Sequence, residues 1–111
     1  MKPKTAVAAL AALAQESRLA IFRLLVKAGP VGLAAGIISK ATAIPPSSLS
    51  FHLKELTHAK LVSSQQTGRF VIYQANFPTM TALLAFLTDN CCSGETCALT
   101  SQPSNAKTAN P

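Results

Sequence analysis

The segment that decides the fold is GLAAGIISKATAIPPSSLSFHLKELTHAKLVSSQQTGRFVIY, residues 32–73. Between residues 31 and 42 the apolar side chains keep helical spacing, and Leu33 is expected to lie on that helix with Ile37 and Ile38. Pro45-Pro46 ends it, yet Pro46 suits the first position of a new helix, where its missing N–H is not needed. Three leucines form the buried seam of this second helix: Leu49, Leu53 and Leu56.

Two runs rich in β-forming residues follow, 61–66 and 69–74, on either side of Thr67-Gly68. Glycine readily takes the positive φ that tight turns require, so the runs are predicted to pair as a hairpin. Together with the two helices, this hairpin predicts a helix-turn-helix with a wing. The expected fold class is mainly α with a β-hairpin, that is, a winged helix-turn-helix.

Three more helices are expected outside this segment. The first covers residues 5–14, with Thr5 as its cap and an apolar stripe that contains Val7, Leu10, Leu13 and Ala14. The second runs from about residue 16 to Lys27 and is ended by Gly29-Pro30. The last follows Pro78 and extends to about Asn90, with one apolar side: Met80, Leu83, Leu84 and Leu87. The predicted order is therefore four helices, the hairpin and a fifth helix.

Length and charge narrow the class of protein. A chain of 111 residues suits one domain, and ten Lys and Arg against four acidic residues give a net charge of +6, as expected of a protein that binds a polyanion. No apolar run is long enough to span a membrane. The Ala-rich start of the chain resembles a secretory signal, but it continues in helical phase into Gln15-Glu16. Three cysteines cannot pair fully within one chain, so we expect free thiols and a cytoplasmic protein.

In a helix-turn-helix, the second helix presents its N-terminal residues to the DNA major groove. Hydroxyl, imidazole and cationic side chains can contact phosphates or bases, and an aromatic ring can pack on a thymine methyl. Arg69 at the wing suits insertion into a narrow minor groove. The candidate DNA contacts are Ser47, Ser48, Ser50, Phe51, His52, Lys54 and Arg69.

Each candidate also has a purely structural alternative. Ser47 can serve as a helix cap, Phe51 can belong to the core, and His52 can bond to its own domain. Lys54 and Lys60 can be solvated charges that contact nothing.

Three stretches resemble ArsR-type metalloregulatory repressors. Residues 13–21 (LAQESRLAI) resemble the start of that family's domain, residues 46–56 (PSSLSFHLKEL) its recognition helix, and residues 68–73 (GRFVIY) its wing. The resemblance implies a homodimer that binds operator DNA and is released when a toxic metal or metalloid binds. It also implies that the first and last helices form the dimer interface. Residues 1–90 are then expected to be the DNA-binding and dimerisation domain.

The resemblance fails at the position where many arsenic-sensing members carry a cysteine pair. Residues 30–35 (PVGLAA) contain no cysteine. All three thiols follow the last helix instead, as Cys91, Cys92 and Cys97 in a tail, residues 91–111, that is polar and expected to be largely disordered. Thiolates are soft ligands, and Gly94 allows three sulfurs to converge on one ion such as As(III) or Sb(III). The tail is therefore the expected inducer site.

Other chemistries remain open for this tail. Zinc or cadmium would require a fourth ligand, for which Asp89, Glu95 or water is available. A redox-responsive repressor would form a disulfide between Cys97 and either Cys91 or Cys92. A metalloid buffer or chaperone that does not bind DNA is a further alternative.

An enzyme is not expected. A phosphatase-like anion loop requires Cys-x5-Arg, and no arginine follows Arg69. A thioredoxin-like site requires Cys-x-x-Cys, which is absent, and the four carboxylates are scattered along the chain. The prediction is a metalloid-responsive transcriptional repressor without catalytic activity.

Overall fold

The computed structural model describes residues 1–94. Its helices are α1 (Pro3–Leu13), α2 (Glu16–Ala28), α3 (Ala35–Thr42), α4 (Pro46–His58) and α5 (Phe77–Leu87). Its strands are β1 (Leu33–Ala34), β2 (Val62–Thr67) and β3 (Phe70–Ala75), and two short 3-10 turns cover Gly29–Val31 and Cys91–Gly94. The predicted mainly α fold with a β-hairpin is confirmed.

A small antiparallel sheet in the order β1-β3-β2 lies beside the helices. Val62 pairs with Ala75 at the base of the hairpin, and Thr67 pairs with Phe70 at its tip. The loop is therefore Gly68-Arg69, one residue later than the Thr67-Gly68 turn predicted from the sequence. Gly68 has a φ of +62°, as a tight hairpin turn requires at its first central residue.

The start of the third helix was predicted too early. Leu33 lies in β1 opposite Tyr73, and α3 begins only at Ala35. The cause is Gly32, whose backbone has a φ of +69° and a ψ of −171°, a conformation that no helix contains. This glycine also lies against β3, so the chain adds a third strand before it turns into α3.

The core lies where α2, α4 and the base of the hairpin meet. The predicted leucine seam of α4 is confirmed, since all three leucines are buried. The seam packs with apolar residues of α2, α3 and the strands: Ile21, Phe22, Leu25, Ile38, Leu61, Val62 and Ala75. These contacts fix the orientation of α4 and leave its opposite face to solvent.

The two terminal helices differ from prediction in their bounds. α1 begins at Pro3, and Thr5 lies inside it rather than capping it, because proline at the first position needs no N–H partner. The backbone N–H of Thr79 donates to the Asn76 side-chain oxygen at 3.3 Å, which caps α5. α5 ends at Leu87 instead of Asn90, whose φ of +57° lies in the turn that follows.

The apolar stripes of α1 and α5 also differ from a simple buried face. Alanines form the inner side of α1, namely Ala6, Ala9 and Ala12, whereas Val7 is 64% exposed and Leu10 42% exposed. In α5 the residues of the predicted apolar side differ in burial: Leu83 is buried, whereas Leu84 and Leu87 are 55% and 54% exposed.

The described residues do not test two other predictions. The expected disorder of the tail beyond residue 94 lies outside the described residues, and a domain boundary at residue 90 stays a prediction. Over residues 1–94, none of the helices has the length and apolar character needed to cross a membrane.

Candidate nucleic-acid interface

The outward face of α4 is the first part of the candidate site. Because Leu49 and Leu53 are buried, the intervening positions point away from the core. Ser47, Ser48, Ser50, Phe51 and Lys54 are all exposed there. The structure thus brings together on one helix face most of the residues predicted to contact DNA.

The three serines of this face are available to a ligand. The residue before α4 is Pro45, which provides no side-chain cap, so the alternative role of Ser47 as a helix cap is wrong. Within residues 1–94, the hydroxyls of Ser47, Ser48 and Ser50 have no hydrogen-bond partner in the protein. Each can donate to a phosphate oxygen or exchange hydrogen bonds with a base edge.

Phe51 lies at the surface rather than in the core. Its side chain is 57% exposed, and its ring meets the His52 imidazole edge-on with centroids 5.8 Å apart. The alternative role of Phe51 as a core residue is therefore wrong. An exposed phenylalanine beside hydroxyl groups can pack against a thymine methyl or a deoxyribose.

His52 has a partner within the protein, as the structural alternative anticipated. The Arg18 guanidinium lies between α1 and α4: its Nε donates to the Ala12 carbonyl oxygen at 2.7 Å, and its Nη1 is 3.4 Å from His52 Nδ1. Because a guanidinium has no acceptor atom, Nδ1 accepts this hydrogen bond and the ring proton lies on Nε2. His52 is half-buried, so it can hold Arg18 and still present a polar edge near the surface.

Arg18 is the residue that sequence reasoning missed. From the sequence, Arg18 was only one position of the family-like stretch of residues 13–21. The available signal was that Arg18 and His52 both lie in the family-like stretches, although they are 34 positions apart in the chain. Only the tertiary structure shows that the two side chains meet.

Local hydrogen bonds stabilise the end of α3 and the turn that leads to α4. Thr42 Oγ1 donates to the Ile38 carbonyl oxygen at 2.7 Å within α3, and Ser39 Oγ donates to the Ile44 carbonyl oxygen in the turn at 2.6 Å. Ala43 ends α3 in the left-handed region with a φ of 59°. The bond from Ser39 therefore ties the turn to α3.

The wing carries Arg69 at its tip. With the loop at Gly68-Arg69, this cation lies at the end of the hairpin and is exposed. Phe70 follows at the start of β3 and is also exposed. A guanidinium at a projecting tip is well placed for a minor groove, where A-tract sequences concentrate negative potential.

Cations other than the predicted contacts Lys54 and Arg69 also lie near α3 and α4. Lys40, Lys54 and Lys60 are exposed on or next to α3 and α4. A cleft of about 390 Å³ between α2 and α3 is lined by Arg23 and Lys27, and none of the carboxylates within residues 1–94 lines it. Lys40, Lys54 and Lys60 thus add exposed positive charge around the helix-turn-helix.

The cysteine site is described only in part. Cys91 begins the 3-10 turn Cys91–Gly94, directly after α5, and its backbone N–H donates to the Thr88 carbonyl oxygen at 2.9 Å. Asn90 and Ser93 both have positive φ, so the backbone reverses around the cysteine pair. Cys97 lies outside the described residues, and a three-cysteine site stays a prediction.

Comparison with known proteins agrees with this geometry. A family model described as a helix-turn-helix domain matches residues 13–65. No curated protein sequence matches the chain.

Several solved structures are similar over most of the chain. An ArsR-like transcriptional regulator from a Rhodococcus species has a TM-score of 0.71 at 22% identity and covers 82% of this chain and 83% of its own. HlyU from Vibrio cholerae has a TM-score of 0.65 at 29% identity, covering 83% of this chain and 99% of its own. A homodimeric winged helix-turn-helix DNA-binding domain from Mycobacterium bovis has a TM-score of 0.63 at 22% identity, covering 86% and 88%.

The fold and the matched domain define the class of this chain: it is a winged helix-turn-helix protein, similar to DNA-binding transcriptional regulators, which are not enzymes. Within that class its architecture is that of ArsR-like transcriptional regulators.

Proposed function

We propose that this chain is an ArsR-family repressor that binds double-stranded operator DNA as a homodimer. The observation that carries the proposal is the outward face of α4, where Phe51, Lys54 and three serine hydroxyls that have no hydrogen-bond partner within residues 1–94 lie together. In this fold, α4 enters the major groove and the wing reaches an adjacent groove. A DNA-binding repressor of this kind acts in the cytoplasm, where the operator is.

Two helices supply the dimer interface in this proposal. Val7 and Leu10 on α1, and Leu84 and Leu87 on α5, are large aliphatic side chains that the folded monomer leaves exposed. α1 packs against α5, so these residues belong to one end of the molecule. The homodimeric neighbour from Mycobacterium bovis has the same fold and supports this assembly.

Salt dependence tests DNA binding by this surface. Each phosphate contact contributes a slope of roughly −0.9 to a plot of log K against log salt concentration, and a homodimer carries Arg69 twice, so Arg69→Gln is expected to reduce the slope by about two units. The measurement is fluorescence anisotropy of labelled operator DNA at salt concentrations from about 50 to about 300 mM.

Lys4→Gln is the matched control, because it removes one charge from α1, outside the helix-turn-helix and the wing. Its slope should equal that of the unmodified protein. A flat salt response of the unmodified protein would favour the metalloid buffer or chaperone instead.

As(III) is the proposed inducer, with Sb(III) as a related ligand. Cys91 and Cys92 follow α5 within a backbone reversal, and α5 is one of the two proposed dimer helices. Three thiolates suit a soft trivalent metalloid. Binding at this junction changes the packing of the dimer helices and hence the spacing of the two α4 helices. By linkage, DNA weakens metalloid binding by the same factor, and such coupling is commonly about 1–3 kcal/mol.

Replacing Cys91, Cys92 and Cys97 together by serine tests the inducer site. Arsenite is expected to release the unmodified protein from operator DNA and to leave the triple variant bound. In the absence of arsenite both proteins should bind with equal affinity, because no cysteine lies on α4 or the wing. Arsenite-driven release that survives all three replacements would contradict the proposal.

A redox-responsive repressor is the second candidate for the same cysteines. The similar structures include HlyU in its reduced form, so thiol oxidation deserves a direct comparison. Titration of the operator complex with hydrogen peroxide, arsenite, cadmium and zinc separates the candidates. Release by peroxide that dithiothreitol reverses, without release by arsenite, would favour the redox alternative.

A further inference from the structure

We propose that Arg18 is a positioning residue for the DNA-reading helix, which holds His52 in one tautomer and ties α4 to the end of α1. The inference rests on the proposed DNA-binding function. It concerns the contact of Arg18 with α1 and α4, and Arg18 is not itself among the residues predicted to contact DNA.

The first half of the contact is at the end of α1. The carbonyl groups of the last helical turn have no partner within the helix, and Ala12 lies in that turn. Arg18 Nε supplies the missing donor at 2.7 Å. A cation at a helix C-terminus is also favoured by the helix dipole. The hydrogen bond to α1 therefore fixes the position from which the guanidinium contacts α4.

The second half of the contact is at the reading face of α4. Arg18 Nη1 lies 3.4 Å from His52 Nδ1, and the imidazole edge in turn contacts the exposed Phe51 ring. A guanidinium has donor atoms only, so Nδ1 is the acceptor in this contact. The ring orientation of His52 and the proton on Nε2 follow from this one bond.

The backbone of α2 is itself held at this point. The N–H of Arg18 donates to the side-chain oxygen of Gln15, the residue that caps α2, at 2.9 Å. Arg18 thus has a fixed main chain, one hydrogen bond to α1 and one to α4. With its main chain fixed and its side chain held by two hydrogen bonds, Arg18 transmits a displacement of α1 to the imidazole beside Phe51. Since α1 is a proposed dimer helix, Arg18 connects the dimer interface to the surface that reads DNA.

Two features of the surroundings distinguish this hydrogen-bonded contact from a non-specific effect of positive charge. Glu55 lines the open cleft beside Arg18 together with His58, alanines of α1 and Ala59, yet it forms no ion pair with Arg18 among the residues that the structure describes. Arg23, five positions further along α2, is exposed and has no hydrogen bond from its side chain within residues 1–94. Arg23→Gln therefore removes the same charge from the same helix without removing the bridge.

The experiment combines operator binding with nitrogen NMR of the full-length protein. Arg18→Gln is expected to weaken operator binding about tenfold, the effect of losing a hydrogen bond from a charged group, and more than Arg23→Gln does at the same salt concentration. His52→Leu should weaken binding by a similar factor, and His52→Asn, which keeps an acceptor near the position of Nδ1, should recover part of it.

The double variant Arg18→Gln, His52→Leu shows whether the two residues act together. Its loss of affinity should be close to that of one single variant, because both remove the same contact. Independent roles would instead give the product of the two losses. Equal effects of Arg18→Gln and Arg23→Gln, together with multiplied losses in the double variant, would overturn the proposal.

The NMR readout does not depend on DNA binding. The chain has two histidines, so His58→Gln assigns the remaining ring signals to His52. Arg18→Gln should shift the His52 Nδ1 resonance more than any resonance of His58, whereas Arg23→Gln should shift neither. An unchanged His52 resonance would overturn the bridge. If the protein bound no DNA but the resonance shifted, the proposed function would fail while the Arg18 contact stood. Circular dichroism of each variant confirms folding, and the His52 variants test the contact from its other side if Arg18→Gln is unfolded.

Discussion

Gly32→Ala is expected to destabilise the protein by about 2–4 kcal/mol, because the backbone at this residue has a conformation that essentially only glycine adopts. Its φ is +69° and its ψ −171°. An added Cβ would also overlap the Tyr73 carbonyl oxygen and the Ile72 side chain on β3. Relief of that overlap requires β1 to move away from β3, which would disturb the base of the wing.

Urea unfolding followed by circular dichroism measures this effect. Gly36→Ala is the matched control, since Gly36 lies inside α3 and an added Cβ there meets nothing within 4 Å. Alanine at that position should stabilise the protein by about 0.5–1 kcal/mol, the difference in helix propensity between the two residues. An unchanged urea midpoint for Gly32→Ala would show that the backbone at residue 32 is not constrained by β3.

Helix α4 could be predicted from the sequence almost to the residue. Pro46 marks its start, and a leucine at every third or fourth position gives the buried seam, so two local signals agree. The predicted hairpin turn lies only one residue too early. The glycine was recognised as a turn residue, but the sequence did not show that it is the first of the two loop residues. Local chemistry decides these elements, and the sequence displays it directly.

Features that depend on distant partners could not be predicted. β1 has two residues, too few to show any periodicity, and it exists because Leu33 pairs with Tyr73 forty positions away. The contact between Arg18 and His52 also depends on residues distant in the chain, since the two side chains meet only when α2 and α4 have packed. The exposure of Val7 and Leu84 also required the structure, because spacing alone shows an apolar stripe without showing what covers it.

Leu84→Glu is expected to abolish the dimer and to weaken operator binding by about a hundredfold or more. Leu84 is more than half exposed in the monomer and lies on α5 with Leu87, on the face assigned to the partner subunit. A carboxylate at this position would be buried without a partner in the dimer, which strongly opposes association. A monomer presents one α4 to one half-site and loses the gain in affinity that two linked half-sites provide.

Sedimentation equilibrium and operator titration of the same samples test both parts of this expectation. Val31→Glu is the matched control, because Val31 is an exposed aliphatic residue outside α1 and α5, and the same charge there should leave the dimer intact. Leu84→Gln separates loss of apolar contact from added charge, and a smaller shift toward monomer is expected. A Leu84→Glu protein that remained dimeric and bound operator DNA normally would place the interface elsewhere, and the signal from the cysteines would then have to reach α4 by a route other than α1 and α5.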